Sequence, residues 1–153
     1  MKDNLVILVA SIAILIVVAA VVVLALRSRA KPAMQADGAV RVPLRAAYGS
    51  TQGLGMLGGS HNNLNPLLLL YDDHIEYRVL QRTTVPYADI AGVDAVTGWG
   101  RAALVLSFAN SKFLFTGNTG GKAALAEALR HLRDKGCPLT DRAQAMVAVS
   151  PAA

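Results

Sequence analysis

LLLLYDDHIEYRVL, residues 67–80, decides how this chain folds. Four leucines and Tyr71 make an apolar run of strand length. Asp72 and Asp73 supply a turn, because an Asp side chain bonds its own backbone there. From His74 the residues alternate. Ile75, Tyr77 and Val79 point one way; His74, Glu76 and Arg78 point the other. A period of two is the pattern of a strand with one buried face, so the stretch predicts an antiparallel hairpin.

The hairpin sits in a run of similar pieces. On its N-terminal side, residues 42–48 (VPLRAAY) read as a weak strand, with Pro43 placing it at a start or edge. Residues 49–66 form a long Gly/Asn/Ser-rich loop closed by Asn65-Pro66. On its C-terminal side, residues 81–83 turn the chain and residues 85–93 supply a short strand and bend. Residues 102–108 and 112–116 are further strands, separated by turns at 98–100 and 109–111.

One helix follows. Leu125, Ala128, Leu129 and Leu132 fall at the spacing of a single apolar stripe. Asn118 or Thr119 is placed to cap its start. Gly136 and Pro138 supply the stop. Residues 137–153 show no clear pattern and read as a flexible tail. The expectation is a small mainly-β domain over residues 41–136, of five to seven antiparallel strands, closed by one C-terminal amphipathic helix.

A different signal precedes the domain. Residues 5–26 read LVILVASIAILIVVAAVVVLAL, free of charge, Gly, Pro and aromatics. As a helix that run measures about 33 Å, against a hydrocarbon core of about 30 Å. It is too long for a signal-peptide core of roughly 7–15 residues and ends in a basic flank. The expectation is an uncleaved transmembrane helix after a short outside N-terminus, residues 1–4. Arg27, Arg29 and Lys31 crowd its C-terminal side, so the excess-positive rule puts the N-terminus outside and the domain in the cytoplasm. Residues 27–40 become a basic juxtamembrane linker, interrupted by Pro32 and Gly38. The anchor lacks intramembrane charge and the small-xxx-small spacing of a helix-pairing motif, so it reads as a tether.

Charge follows the same division. The chain carries 15 Lys/Arg and 10 Asp/Glu. Setting aside Lys2, Arg27, Arg29, Lys31 and Asp3 leaves 11 against 9, a nearly neutral domain. A nucleic-acid partner would need a basic face on the domain itself, and none is expected. The single cysteine, Cys137, forbids an intrachain disulfide and suits a reducing compartment.

The order of elements resembles a pleckstrin-homology-like (PH-like) domain of the small bacterial type. The residues carrying the likeness are the hairpin at 67–80, the VPYADIAGV segment at 85–93 and the helix GKAALAEALRHL at 121–132. The resemblance covers about residues 41–135 and implies a binding module; with the anchor at 5–26, the expected location is a bacterial inner membrane. Phosphoinositide-binding members place basic residues in the loop after the first strand. Here the loop at 49–66 holds no Lys or Arg and only His61, which points away from inositol-phosphate recognition.

The remaining motifs carry little chemistry. Residues 53–58 (GLGMLG) spell a G-x-G-x-x-G, but no helix start follows, so a dinucleotide site is not expected. The loop instead offers Leu54, Met56 and Leu57 to the bilayer or a partner. His61, His74 and His131 fall on separate elements without metal-ligand spacing, so no metal and no cofactor are expected. Trp99, between two glycines and beside Arg101, is the contact candidate, because Trp and Arg are enriched in binding hot spots and at membrane interfaces. Its competing reading is a Trp folded back on the sheet.

The functional expectation is a non-enzymatic, membrane-anchored accessory or scaffold subunit of a larger membrane protein complex. Its contact residues would be Trp99, Arg101, Leu54, Met56, Leu57, Arg27, Arg29 and Lys31. The alternative is a lipid-binding or lipid-sensing module using the Gly-rich loop and the basic flank. A small enzyme is a third reading, for which no nucleophile, base or metal motif speaks.

Overall fold

The computed structural model describes residues 16–18, 33–34, 38–53, 60–98 and 101–149. The chain divides into two units, residues 1–30 and 31–153. In the first, Ile16, Val17 and Val18 are helical and exposed. The rest of the expected anchor at 5–26 lies outside the described residues, as do Arg27, Arg29 and Lys31. No helix among the described residues is long and apolar enough to cross a membrane.

The second unit is mainly β, built from two five-stranded antiparallel sheets. The first has the order β1 (Ala33–Met34), β2 (Val40–Arg41), β5 (Leu67–Leu70), β6 (His74–Arg78), β7 (Arg82–Pro86). The second has the order β4 (Ser60–Asn62), β3 (Ala46–Thr51), β10 (Ser111–Asn118), β9 (Arg101–Phe108), β8 (Ile90–Gly98).

The sheets share two bent strands. Val40 and Arg41 pair with Leu70 and Leu69, and further along the same stretches Ala47 and Tyr48 pair with Asn62 and His61. Residues 40–51 and 60–70 are thus one hairpin that begins in one sheet and ends in the other. The last strand, β10, returns to pair with β3, Phe115 opposite Gly49. The gap falls at a corner, where the 3-10 turn Tyr87–Asp89 separates β7 from β8.

Alternation dictates what faces inward. In β6, Ile75 and Tyr77 are buried while His74, Glu76 and Arg78 are only partly covered. All four leucines of β5 are buried, so this strand is covered on both faces. Leu68 and Leu70 enter the main core, whereas Leu67 and Leu69 join Ala39 and Tyr71 in a second cluster.

The predicted helix is α1 (Lys122–Asp134), and its stripe of Leu125, Ala128, Leu129 and Leu132 is wholly buried in the main core. The cap differs from expectation. The N-cap is Gly121, without a side-chain bond. The Thr119 hydroxyl instead donates to the Ala102 carbonyl at 2.9 Å, and the Asn118 side chain accepts from the Gly120 N–H. Both side chains therefore secure the turn before the helix. Gly136, at φ 81°, ends α1 as expected.

Three boundaries are corrected. Residues 137–153 are not wholly a tail: Asp141–Val149 form a second helix, α2, which sinks Ala143 and Val147 into the core. Before it, the Val93 N–H donates to the Pro138 carbonyl and the Thr140 N–H to the Val93 carbonyl, at 2.8 and 2.9 Å. This segment covers the outer edge of β8. Residues 27–40 are not wholly a linker, since β1 pairs with β2 as the outer strand of the first sheet. Residues 49–66 are not wholly a loop, because β4 adds to β3.

Candidate functional site

The two sheets leave a cleft of about 550 Å³ beside the open corner. Its floor is aromatic. Tyr77 from β6 lies with ring centroids 5.5 Å from Phe108 of β9 and 6.2 Å from Phe113 of β10. Val79 and Val85 extend the apolar lining, and Leu80, 73% exposed, stands at its edge.

Local sequence explains the arrangement. Tyr77 on β6 and Thr83 on β7 are register partners, so their side chains share the face of the sheet that lines the cleft. Phe113 is inward on β10 and lies over β3 at Gly49. A Cβ at that position would stand 2.7 Å from the Phe113 ring, so any larger residue there must displace the ring. Burial pushes the Tyr77 phenol above its usual range, against a smaller pull from Thr83.

The polar lining is sparse: Ser60, Gln81, Thr83, Asn110, Ser111 and Asp89. Asp89 is the sole charged residue of the lining, and it makes no ion pair among the described residues. Among the described residues no Lys, Arg, His or Cys lines the cleft. Such a surface can hold an apolar group of ligand size, orient it through a few amides and hydroxyls, and attract a cation. Among the described residues it has no basic group to neutralise a phosphate.

Two other clusters are structural. Asp73 bonds His74 at 2.6 Å, which holds the Asp73 carboxyl below the usual carboxylate range. The His74 ring stacks on Tyr71, and the Tyr87 hydroxyl donates to the Tyr71 carbonyl at 2.7 Å. Burial raises the Tyr87 phenol strongly. Lys135 reaches Asp72 at 3.0 Å and so fastens the end of α1 to the β5–β6 turn. Among the described residues no group of three or more His, Cys, Asp or Glu side chains is placed to hold a metal ion.

Of the residues singled out from sequence, Arg101 does not line this cleft. Arg101 is exposed at the start of β9, paired with Gly98, at the far end of the ladder from Phe108. Trp99, Leu54, Met56 and Leu57 lie outside the described residues. The cleft residues Tyr77, Phe108, Phe113 and Asp89 escaped sequence reasoning. The inward phase of Tyr77 was readable, as was the aromatic spacing of Phe108, Phe113 and Phe115, but their convergence across two sheets was not.

The sequence matches no protein-family model and no curated protein.

Proposed function

We propose that this protein is a non-enzymatic interaction module, tethered to a bacterial inner membrane by residues 5–26, and that the cleft is its contact site for a larger membrane protein. The observation that carries the reading is the character of the cleft. Its floor is three aromatic rings, and its only charge among the described residues is the Asp89 carboxylate. An anionic lipid headgroup would meet a negative group there and no cation.

The PH-like resemblance agrees with this reading. Setting aside the two-residue β1 and counting the bent stretches 40–51 and 60–70 as one strand each, the described residues make seven strand passes before α1. The apolar run and the flank Arg27, Arg29 and Lys31 support an outside N-terminus and a cytoplasmic domain. Residues 27–32 span at most about 20 Å, so a membrane anchor would hold the domain close to the bilayer. Such tethering raises the local concentration of a module and lets modest contacts stay occupied.

The test is purification of the full-length protein from its native membrane in mild detergent, with mass spectrometry of what accompanies it. A stoichiometric membrane protein, retained at high salt, is the expected result. A lone chain carrying lipid, whose vesicle binding collapses as salt rises, would overturn the reading in favour of headgroup recognition.

A further inference from the structure

The two strand edges that flank the open corner differ. That of β8 is bonded at Val93 by the chain itself, through Pro138 and Thr140. Among the described residues, that of β7 has a strand on one side only. The ladder between β6 and β7 fixes which backbone groups are free. The Tyr87 N–H donates to the Asp73 carbonyl at 3.4 Å. In an antiparallel ladder, bonded and non-bonded pairs alternate. Val85 opposite Ile75 and Thr83 opposite Tyr77 are then bonded pairs, while Thr84 opposite Glu76 and Arg82 opposite Arg78 turn their N–H and C=O groups outward. Pro86, with no N–H, ends the usable edge.

We propose that an extended segment of a partner protein adds to the free edge of β7 as a sixth strand of the first sheet. It inserts an apolar side chain over Tyr77, Phe108 and Phe113 and sets a basic side chain against Asp89. This deepens the interaction-module reading and rests on it. Geometry supports the pairing: alternate side chains of an added strand fall on the same side as Thr83 and Val85, whose side chains line the cleft. Charge selects the occupant, because among the described residues the lining offers one carboxylate and no cation. An apolar segment with a neighbouring Lys or Arg complements that lining, whereas an acidic segment is repelled. Main-chain bonds would supply affinity, and the cleft would choose the side chain.

The experiment uses the full chain in lipid nanodiscs and short labelled peptides with alternating apolar and threonine residues. A single position beside the apolar anchor carries arginine, glutamine or glutamate, and binding is read by fluorescence polarisation. The arginine peptide should bind tightest and the glutamate peptide weakest. Thr84→Pro removes an outward N–H without touching the β6 ladder, and should weaken binding about tenfold or more. Thr84→Ala keeps that N–H and should bind as the parent does. Asp89→Asn should erase the preference for arginine over glutamine. Circular dichroism melting checks that each variant is folded. Equal binding by folded Thr84→Pro and Thr84→Ala would overturn strand addition yet leave a peptide-binding module. No binding by any peptide, together with salt-sensitive binding to anionic vesicles, would overturn the module itself.

Discussion

The ring of Tyr77 on β6 sits 4.8 Å, centroid to centroid, from the ring of Phe115 on β10, tilted by 46°. This contact joins the two sheets beneath the cleft, and the exposure of its members grades from core to mouth. Phe115 is fully buried, Phe108 is 9% exposed, and Phe113 is a partly buried ring at the mouth. Phe115→Ala should therefore cost about 3–5 kcal/mol of folding stability, and Phe113→Ala about 1–2 kcal/mol. Urea titrations of the two variants check the ordering; equal losses would mean that Phe113 is core rather than site.

Gly49 sets where Phe113 lies. Gly49→Ala must displace the ring, since the added Cβ would stand 2.7 Å from it. The expected result is a loss of about 1–3 kcal/mol and a changed cleft. Peptide binding should fall in this variant more than in Gly98→Ala, where a Cβ meets nothing.

The segment after α1 acts as a guard on β8. Ending the chain after Gly136 removes the backbone bonds on Val93 and the buried Ala143 and Val147. Stability should drop by at least about 3 kcal/mol. The uncovered edge should also drive self-association, seen by sedimentation velocity.

Much of the framework was legible because it is local. The alternation of Ile75, Tyr77 and Val79 and the stripe of Leu125, Ala128, Leu129 and Leu132 each lie within one element. What escaped depends on distant partners. β4 is the polar trio Ser60, His61 and Asn62, and is a strand only because residues 47–49 lie beside it. α2 buries just Ala143 and Val147, too weak a stripe to announce a helix. Trp99 and Arg101 drew attention as residue types. Trp99 lies outside the described residues, and the cleft is made of ordinary inward-facing aromatics brought together from β6, β9 and β10.

Acid should loosen the guard. Burial alone would raise the Asp94 carboxyl, but bonds from Thr140 and the Ala95 N–H, with the Arg142 guanidinium alongside, leave it below the ordinary 3.8. A carboxyl depressed in the folded state stabilises above its unfolded pKa and loses that contribution as pH falls through its folded one. Hydrogen exchange of residues 141–149 should therefore rise below about pH 4, and Asp94→Asn should remove that pH step.

Cys137 reports on the same region. Burial pushes its thiol up to about 11, so at mildly alkaline pH it stays protonated and slow to react. Ellman's reagent should modify the native protein far more slowly than the urea-unfolded chain. Deleting residues 141–153 should remove most of that difference.

The most direct measurement is photocrosslinking in the native membrane, with a benzophenone amino acid in place of Leu80 at the cleft or of Val96, 42% exposed on β8. Leu80 should give one protein adduct of defined mass, which Val96 does not give, and Thr84→Pro should suppress it. Only lipid adducts at Leu80, or the same protein adduct from both positions, would contradict the assignment of the cleft as the contact site.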